Sequence, residues 1–137
     1  MSGFILGPGE GATYGFHGSA VTMKAVGHQT RGQLCVMEAM YPPGLSVHEH
    51  VHVGEDEMFY LLSGQLSVRC DADSWMVTAG GFVFVPRDHP HAFSVTGAEP
   101  ARALVITGPP RLDEQIARRA EPVPSVALGN VRPDRPL

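Results

Sequence analysis

Cysteine is scarce in this chain of 137 residues, which contains only Cys35 and Cys70. Each lies in an apolar, strand-like run, and neither belongs to a Cys-x-x-Cys pair of the kind that holds a metal through thiolates. This argues against a cysteine metal site such as an iron–sulfur cluster. The two thiols could pair in a disulfide, but we expect both to be reduced and buried, as is usual in a cytoplasmic protein.

Positive charge and long apolar runs are also lacking. The chain has 10 Lys and Arg against 14 Asp and Glu, a net charge of −4 and a pI near 5.9, so it offers no basic surface for nucleic acid or an anionic membrane. No stretch approaches the ~20 apolar residues of a membrane span. The start, MSGFILGPGEG, lacks the positive charge that begins a signal peptide. We therefore expect a cytoplasmic protein whose partner is a small molecule.

Long helices are the third absence, because 16 glycines and 12 prolines interrupt the chain every few residues. Only residues 109–122 predict a helix, in which Leu112, Ile116 and Ala120 are spaced four apart. The runs rich in Val, Leu, Phe and Met between the breaks predict short strands at residues 21–25, 33–41, 57–62, 65–70, 74–78, 82–85, 92–95 and 101–107. Strands at this even spacing, in a chain of one-domain length, predict an all-β sandwich or barrel.

What the chain does have is a histidine-rich run, GLSVHEHVHVGEDEMFYLLSG, at residues 44–64. His48, His50 and His52 stand at every second position, so a strand through them would carry three imidazoles on one face. If the four residues VGED then reverse the chain, Glu57 faces back toward these rings. The pattern predicts a site built from imidazoles and a carboxylate.

A second histidine pair, His89 and His91, offers a further donor for such a site. Nitrogen and carboxylate donors suit Fe(II), Mn, Ni, Cu or Zn, and two histidines with one carboxylate and open positions are the known arrangement of non-haem iron oxygenases. The residues therefore favour a transition-metal site without thiolate.

The histidine-rich run resembles the first motif of the cupins. That motif reads Gly, five residues, His-x-His, three or four residues, Glu, six residues, Gly. In this sequence Gly44, His50, His52, Glu57 and Gly64 occupy its fixed positions in register. Five matching positions make this a strong resemblance.

The second cupin motif reads Gly, five residues, Pro-x-Gly, two residues, His, three residues, Asn, and the sequence matches it in part. Gly80, Pro86 and His91 agree with it. Asp88 stands where Gly is expected, and Val95 stands where Asn is expected. Asp tolerates a left-handed backbone better than most residues, so the first departure is mild.

The resemblance implies one divalent transition metal per chain, bound by His50, His52, Glu57 and His91, with Fe, Mn, Ni, Cu or Zn as candidates. His48 then lies one pair further along the strand, towards the barrel mouth. There it is a rim residue, a substrate contact or a proton shuttle.

Four other polar residues remain outside the ligand set. His89 is expected near the mouth, as His48 is, whereas His17 and His28 are expected at the surface. Glu38 lies in the apolar run LCVMEAMY. It is either an ordinary solvated residue that faces outward or a polar contact for substrate that faces inward.

The fold that the resemblance implies is an all-β cupin jelly-roll β-barrel with a short C-terminal helix. We expect residues 1–29 to form an N-terminal strand or arm, residues 30–110 the barrel, and residues 111–137 the helix and an extended or disordered tail. The resemblance also implies a homodimer, in which residues 12–25 add a strand to the partner.

For function, we expect a dry barrel cavity lined by Phe59, Leu61, Phe93 and either Met37 or Met40, which suits a small, flat ligand that chelates through oxygen. The resemblance to quercetinase-like cupins implies a metal-dependent dioxygenase that acts on a phenolic or enolic substrate, with Glu57 as the proton acceptor. A metal-dependent isomerase or cyclase without redox chemistry, and a binding protein without turnover, are the alternatives, because cupins host all three.

Overall fold

The computed structural model of the protein describes residues 2–124. Within that range the chain forms ten strands, a 3₁₀ turn at Gly27–Gln29 and one helix. The strands are β1 (Thr13–Phe16), β2 (Ser19–Ala25), β3 (Cys35–Tyr41), β4 (Ser46–His50), β5 (Asp56–Ser63), β6 (Gln65–Cys70), β7 (Asp73–Thr78), β8 (Phe82–Val85), β9 (His91–Val95) and β10 (Ala101–Gly108), and the helix is α1 (Leu112–Arg118).

The strands form two antiparallel sheets. One has six strands in the order β1-β2-β3-β10-β5-β8, and the other has four in the order β4-β9-β6-β7. Strands that are neighbours in a sheet are often far apart in sequence, as β3 and β10 are, which is the long-range pairing of a jelly roll. The prediction of an all-β jelly roll with a short C-terminal helix is confirmed.

Alternating burial places the core between the two sheets. Along β3 every second residue is buried, beginning with Cys35 and continuing through Met37, Ala39 and Tyr41. The same period-two pattern holds on β10, as expected for strands with one face inward. Cys35 and Cys70 are both buried and free, as predicted.

The helix is shorter than the sequence predicted. Leu112 and Ile116 are buried against the barrel, but Ala120 is exposed, so the prediction that it shares their face was wrong. The helix ends at Arg118 because the chain then turns to pair with the first strand. Glu121 and Gly15 exchange two backbone hydrogen bonds, of 2.8 and 3.2 Å. The tail expected beyond this point falls on residues 125–137, outside the described residues.

Residues 12–25, which we expect to add a strand to a partner chain, contain two strands that pair within the chain. β1 pairs with β2 from Thr13 to Phe16, and β2 continues the sheet onto β3. Among residues 2–124, no helix is both long and apolar enough to span a bilayer.

Candidate metal centre

The strand that carries the histidines is not regular. On β4, Val47 lies opposite Phe93 of β9, and His50 lies opposite His91. Three steps along β4 therefore match two steps along β9, which is a β-bulge. The bulge turns Val47 and His50 both inward and leaves His48 exposed. The prediction that His48, His50 and His52 share one strand face was wrong, because it assumed an unbroken period of two.

His52 lies beyond the end of β4, in the turn that leads to β5, and is held there by the loop of the second motif. The backbone N–H of Asp88 donates to the carbonyl of His52 at 3.0 Å, and the Asp88 carboxylate accepts the N–H of Gly54 at 2.9 Å. Asp88 has the left-handed backbone that we expected, with φ at 69°. Its side chain supplies a hydrogen bond that glycine at this position could not make.

The turn brings the four expected ligands together. His50, His52, Glu57 and His91 each offer one donor atom, and these atoms lie within 4.8 Å of one another. Glu57 is central: its two oxygens lie 3.5 Å from Nε2 of His52 and 3.4 Å from Nε2 of His91. Glu57 and His91 are buried, while the other two rings are partly exposed.

Backbone carbonyls fix the orientation of two of the rings. Nδ1 of His50 lies 2.8 Å from the carbonyl oxygen of His48, and Nδ1 of His91 lies 3.0 Å from that of His89. A carbonyl oxygen can only accept, so each Nδ1 carries the hydrogen. In the neutral ring, this leaves the lone pair on Nε2 free to bind a metal.

The arrangement of hydrogen-bond acceptors at this site favours a bound cation. Nε2 of His91 is enclosed by protein and has no hydrogen-bond partner among the described residues. Its lone pair lies beside a Glu57 oxygen, which is also an acceptor. Two acceptors at this distance repel unless a proton or a metal ion lies between them. The residues present therefore fit a divalent metal held by three imidazoles and one carboxylate.

The imidazoles of His50 and His91 titrate differently. Burial lowers the pKa of His50, and the carbonyl of His48 opposes this only in part. Burial would also lower the pKa of His91, but the Glu57 carboxylate and the carbonyl of His89 outweigh it and raise this pKa above the ordinary value. Protons therefore compete with a metal at His91 before they do so at His50.

We expect the affinity for Zn²⁺ to fall as the pH decreases. A protonated imidazole cannot bind a metal, so the loss begins as the pH falls through the raised pKa of His91, at roughly tenfold per pH unit. The slope steepens at lower pH, because the lowered pKa of His50 delays its protonation. Competition with a chelating dye between pH 5.5 and 8 measures this, and an affinity that is flat across the range would contradict it.

The metal site lies against a cavity of about 360 Å³ between the sheets. Phe59, Phe93 and Met37 line it, in the positions that the sequence assigned to substrate. Leu61 is buried but is not among the lining residues, and neither is Met40. Leu61 lies four residues beyond Glu57 on β5, so it is roughly 13 Å further along the strand than the metal site.

The remaining polar residues of the sequence analysis take separate positions. His48 is exposed and lines the cavity at its mouth. His89 is exposed and pairs with Asp71, its Nδ1 lying 2.7 Å from a carboxylate oxygen. Glu38 pairs with Arg102 on the outer face of the six-stranded sheet, so it is the solvated residue of the two alternatives.

Several cavity residues were missed by the sequence analysis. Tyr41 continues the inward alternation of β3 beyond Met37, so extending that period by four residues would have found it. Five more lie on or beside the barrel strands, namely Ala39, Val47, Glu49, Val51 and Val105. The other seven come from the segments before and after the barrel, where no motif gave a signal. They are Phe16, His17, Ser19 and Val21 on the N-terminal side, and Leu112, Gln115 and Ile116 on the helix.

Two buried carboxylates hold the helix as a wall of this cavity. Glu55 accepts the backbone N–H groups of Arg111 and Leu112, at 2.8 and 3.0 Å, which satisfies donors that the first turn leaves free. Asp113 accepts the N–H of Gly27 at 2.8 Å. The helix is thus joined both to the metal-site turn and to the chain before β3.

Two facing antiparallel sheets, with three imidazoles and a carboxylate beside the cavity between them, define a jelly-roll protein with a site suited to a metal ion. The Cupin_2 family, described as the cupin domain, matches residues 37–107. The chain belongs to this family.

Comparison with known proteins gives relatives of more than one activity. Quercetin 2,3-dioxygenase of Bacillus subtilis (strain 168) is 28% identical over 90 residues, which are 66% of this chain and 27% of that protein. The tetracenomycin polyketide synthase protein TcmJ of Streptomyces glaucescens is 33% identical over 86 residues, 62% of this chain and 58% of that protein. The chain therefore spans less than two thirds of either relative.

A solved structure with the same fold is the RmlC-like cupin from Shewanella frigidimarina. It has a TM-score of 0.69 and 19% sequence identity, and the match covers 82% of this chain and 96% of that one. At this identity the likeness shows the fold alone.

Proposed function

We propose that this protein is a metal-dependent dioxygenase that acts on a small chelating phenol or enol. The observation that carries the proposal is the placement of Glu57, a buried carboxylate between two imidazoles on the wall of an internal cavity. Similarity to a quercetin 2,3-dioxygenase supports a flat phenolic substrate and the use of oxygen.

The chain supplies the ligands for the metal, and the metal supplies reactivity. When bound by His50, His52, Glu57 and His91, a divalent transition metal provides Lewis acidity toward ligand oxygens and, where it is redox-active, reactivity toward dioxygen. Nitrogen and carboxylate donors do not single out one metal, so Fe, Mn, Ni, Cu and Zn remain the candidates.

The cavity walls favour a flat, largely apolar ligand. Phe93 packs edge to face with Tyr41 and with Phe59, with ring centroids 5.0 and 5.6 Å apart. Such walls exclude water, and the cavity volume of about 360 Å³ suits one small organic molecule. An apolar enclosure also strengthens electrostatic interactions between Glu57 and a bound hydroxyl.

Glu57 is the proton acceptor in this proposal. An acidic hydroxyl of the ligand that enters beside the metal site meets a carboxylate oxygen, and proton transfer to that oxygen leaves a phenolate or enolate in the cavity. Glu57 then has two tasks, metal ligation and proton acceptance, which substitution can separate.

A second candidate is an isomerase or cyclase that uses the same enolate without oxygen. The similarity to TcmJ, a polyketide synthase protein, favours it, because polyketide intermediates are rich in enolisable ketones. A binding protein without turnover is the remaining alternative. All three share the fold, the metal site and the cavity, so the distinction lies in the reaction.

An oxygen electrode tests the proposal. Protein freed of metal is reconstituted separately with Fe²⁺, Mn²⁺, Ni²⁺, Cu²⁺ and Zn²⁺ and given quercetin or an aromatic hydroxyketone. We expect oxygen uptake with at least one redox-active metal and none with the metal-free protein. Equal turnover under argon would instead support the isomerase or cyclase, and binding without turnover for every metal would support the binding protein.

We also propose that the protein is a homodimer joined through the outer face of its six-stranded sheet. On β5 and β8, three outward aromatic side chains are unusually exposed: Tyr60 at 44%, Phe82 at 58% and Phe84 at 48%. Leu62 adjoins them on β5, and Leu104 and Ile106 extend the patch across β10. The three strands are adjacent in the sheet, and two identical flat faces of this kind suit a two-fold axis.

Light scattering should therefore give twice the 14.7-kDa mass of the chain. The double variant Phe82→Lys, Phe84→Lys should be monomeric at the same concentration, because it places two charges in the contact. Met76→Lys is the matched control, since Met76 is just as exposed, at 60%, but lies on the other sheet. A monomeric unsubstituted protein would rule the dimer out.

A further inference from the structure

Tyr41 carries a hydroxyl group that the metal site does not use. It ends strand β3, is 6% exposed, and lines the cavity together with Phe59 and Phe93. Its ring is fixed by edge-to-face packing on Phe93. A rigid phenol at this position presents its hydroxyl in one direction.

That hydroxyl has no protein partner among the described residues. In the same part of the chain, the side-chain polar atoms that are fully enclosed without a hydrogen bond are His91 Nε2 and Thr96 Oγ1. The Tyr41 oxygen is not one of them, so it borders open space. Because the residue is buried from bulk solvent and lines the cavity, that open space is the cavity.

In the cavity, the Tyr41 hydroxyl can either donate or accept a hydrogen bond. Its surroundings favour donation. Burial and the nearby negative charge of Glu57 raise the pKa of Tyr41 well above its ordinary value. The phenol therefore keeps its hydrogen. A donor aimed into an apolar cavity stabilises negative charge on a ligand oxygen, as the donors of an oxyanion hole do.

We propose that the Tyr41 hydroxyl binds the ionised oxygen of the ligand, a phenolate or enolate, and so selects ligands that carry such an oxygen beside the metal site. This inference rests on the proposed ligand class. Two residues then share the ionisation of the ligand: Glu57 accepts the proton, and Tyr41 stabilises the negative charge that remains on the ligand oxygen.

The test uses Zn²⁺-loaded protein under argon with quercetin as the probe, so that binding is measured without turnover. Tyr41→Phe removes one oxygen atom and keeps the ring. We expect quercetin to bind about tenfold more weakly to this variant, since the lost hydrogen bond is to a charged group. Zinc content and melting temperature should stay near those of the unsubstituted protein.

A spectroscopic readout separates charge stabilisation from a merely structural role. The absorbance of bound quercetin reports its ionisation, and its midpoint should rise by about one pH unit in Tyr41→Phe, because the phenolate has lost its donor. The other ionisable groups around the cavity are the same in both proteins: His17, His48, Glu49, His50, His52 and Glu57.

Tyr14→Phe is the matched control, because Tyr14 lies on β1 and is not among the residues that line the cavity. It should change neither the affinity nor the midpoint. If the unsubstituted protein binds quercetin and Tyr41→Phe leaves both values unchanged, the inference is wrong and the proposed function stands. If the zinc-loaded unsubstituted protein does not bind quercetin, both are wrong.

Discussion

Glu57→Gln should lower oxygen-dependent turnover by ~10²–10⁴-fold, the usual effect of losing a general base. Glutamine keeps a carbonyl oxygen that can bind a metal, but it has no basic oxygen to take a proton from the substrate. Glu57 is buried between two imidazole nitrogens, so no solvent-exposed carboxylate can replace it there. The measurement is initial oxygen uptake per bound metal, with metal content determined on the same sample.

Glu38→Gln is the matched control for this experiment. It makes the same change of a carboxylate to an amide, but Glu38 pairs with Arg102 on the outer face of the sheet. Its turnover should equal that of the unsubstituted protein. A Glu57→Gln protein that retains its metal and full turnover would show that the proton goes elsewhere.

His91→Ala should yield purified protein that is almost free of metal. His91 is 1% exposed, so no water from bulk solvent readily replaces its nitrogen, and the change leaves the Glu57 carboxylate beside an empty space. Losing a direct donor costs more affinity than the ~10–100-fold that follows from losing a group that only orients a ligand. Elemental analysis and Zn²⁺ titration measure the effect, and His52→Ala should give the same result.

His48→Ala and His89→Ala should keep their metal, although both residues contact a ligand. Each contact is made by the backbone carbonyl, which alanine retains, so His50 and His91 stay oriented. The two side chains are exposed and lie outside the group of donors. A site emptied by His48→Ala but not by His52→Ala would show that the ligands are shifted by one histidine.

The sequence predicted most of the barrel because its signals are local. Glycines and prolines mark the turns, and apolar residues at every second position mark the inward faces, so strands such as Gln65–Cys70 were located at their observed bounds. The strand Thr13–Phe16 was expected only as part of a strand-forming segment at residues 12–25, because TYGF is short and has no clear alternation of its own. It forms because the neighbouring β2 and the residue Glu121, distant in sequence, provide partners.

The sequence predicted which residues form the candidate site, but not how the backbone brings them together. The spacing of the motifs identifies His50, His52, Glu57 and His91 as ligands. The assumption of a regular strand, however, placed His48 on the same face as these residues. The bulge that excludes it depends on how β4 pairs with β9, strands that lie far apart in the sequence, as the pairing of His50 with His91 shows. Asp88 shows the same limit, since its tolerance of a left-handed backbone is local but its bond to Gly54 is not.

The cavity draws its surface from two sources that could change independently. All four metal donors lie within residues 37–107, the stretch that matches the cupin domain, whereas part of the wall comes from the flanks on either side of it. Exchanging side chains on the helix that carries Gln115 and Ile116, or on the hairpin that carries His17, would alter the shape and polarity met by a ligand without replacing a donor. One segment holds the donors and the Tyr41 hydroxyl, and the flanks complete the cavity wall, which makes the flanks the positions at which the fit of a ligand can be changed while the donors are kept.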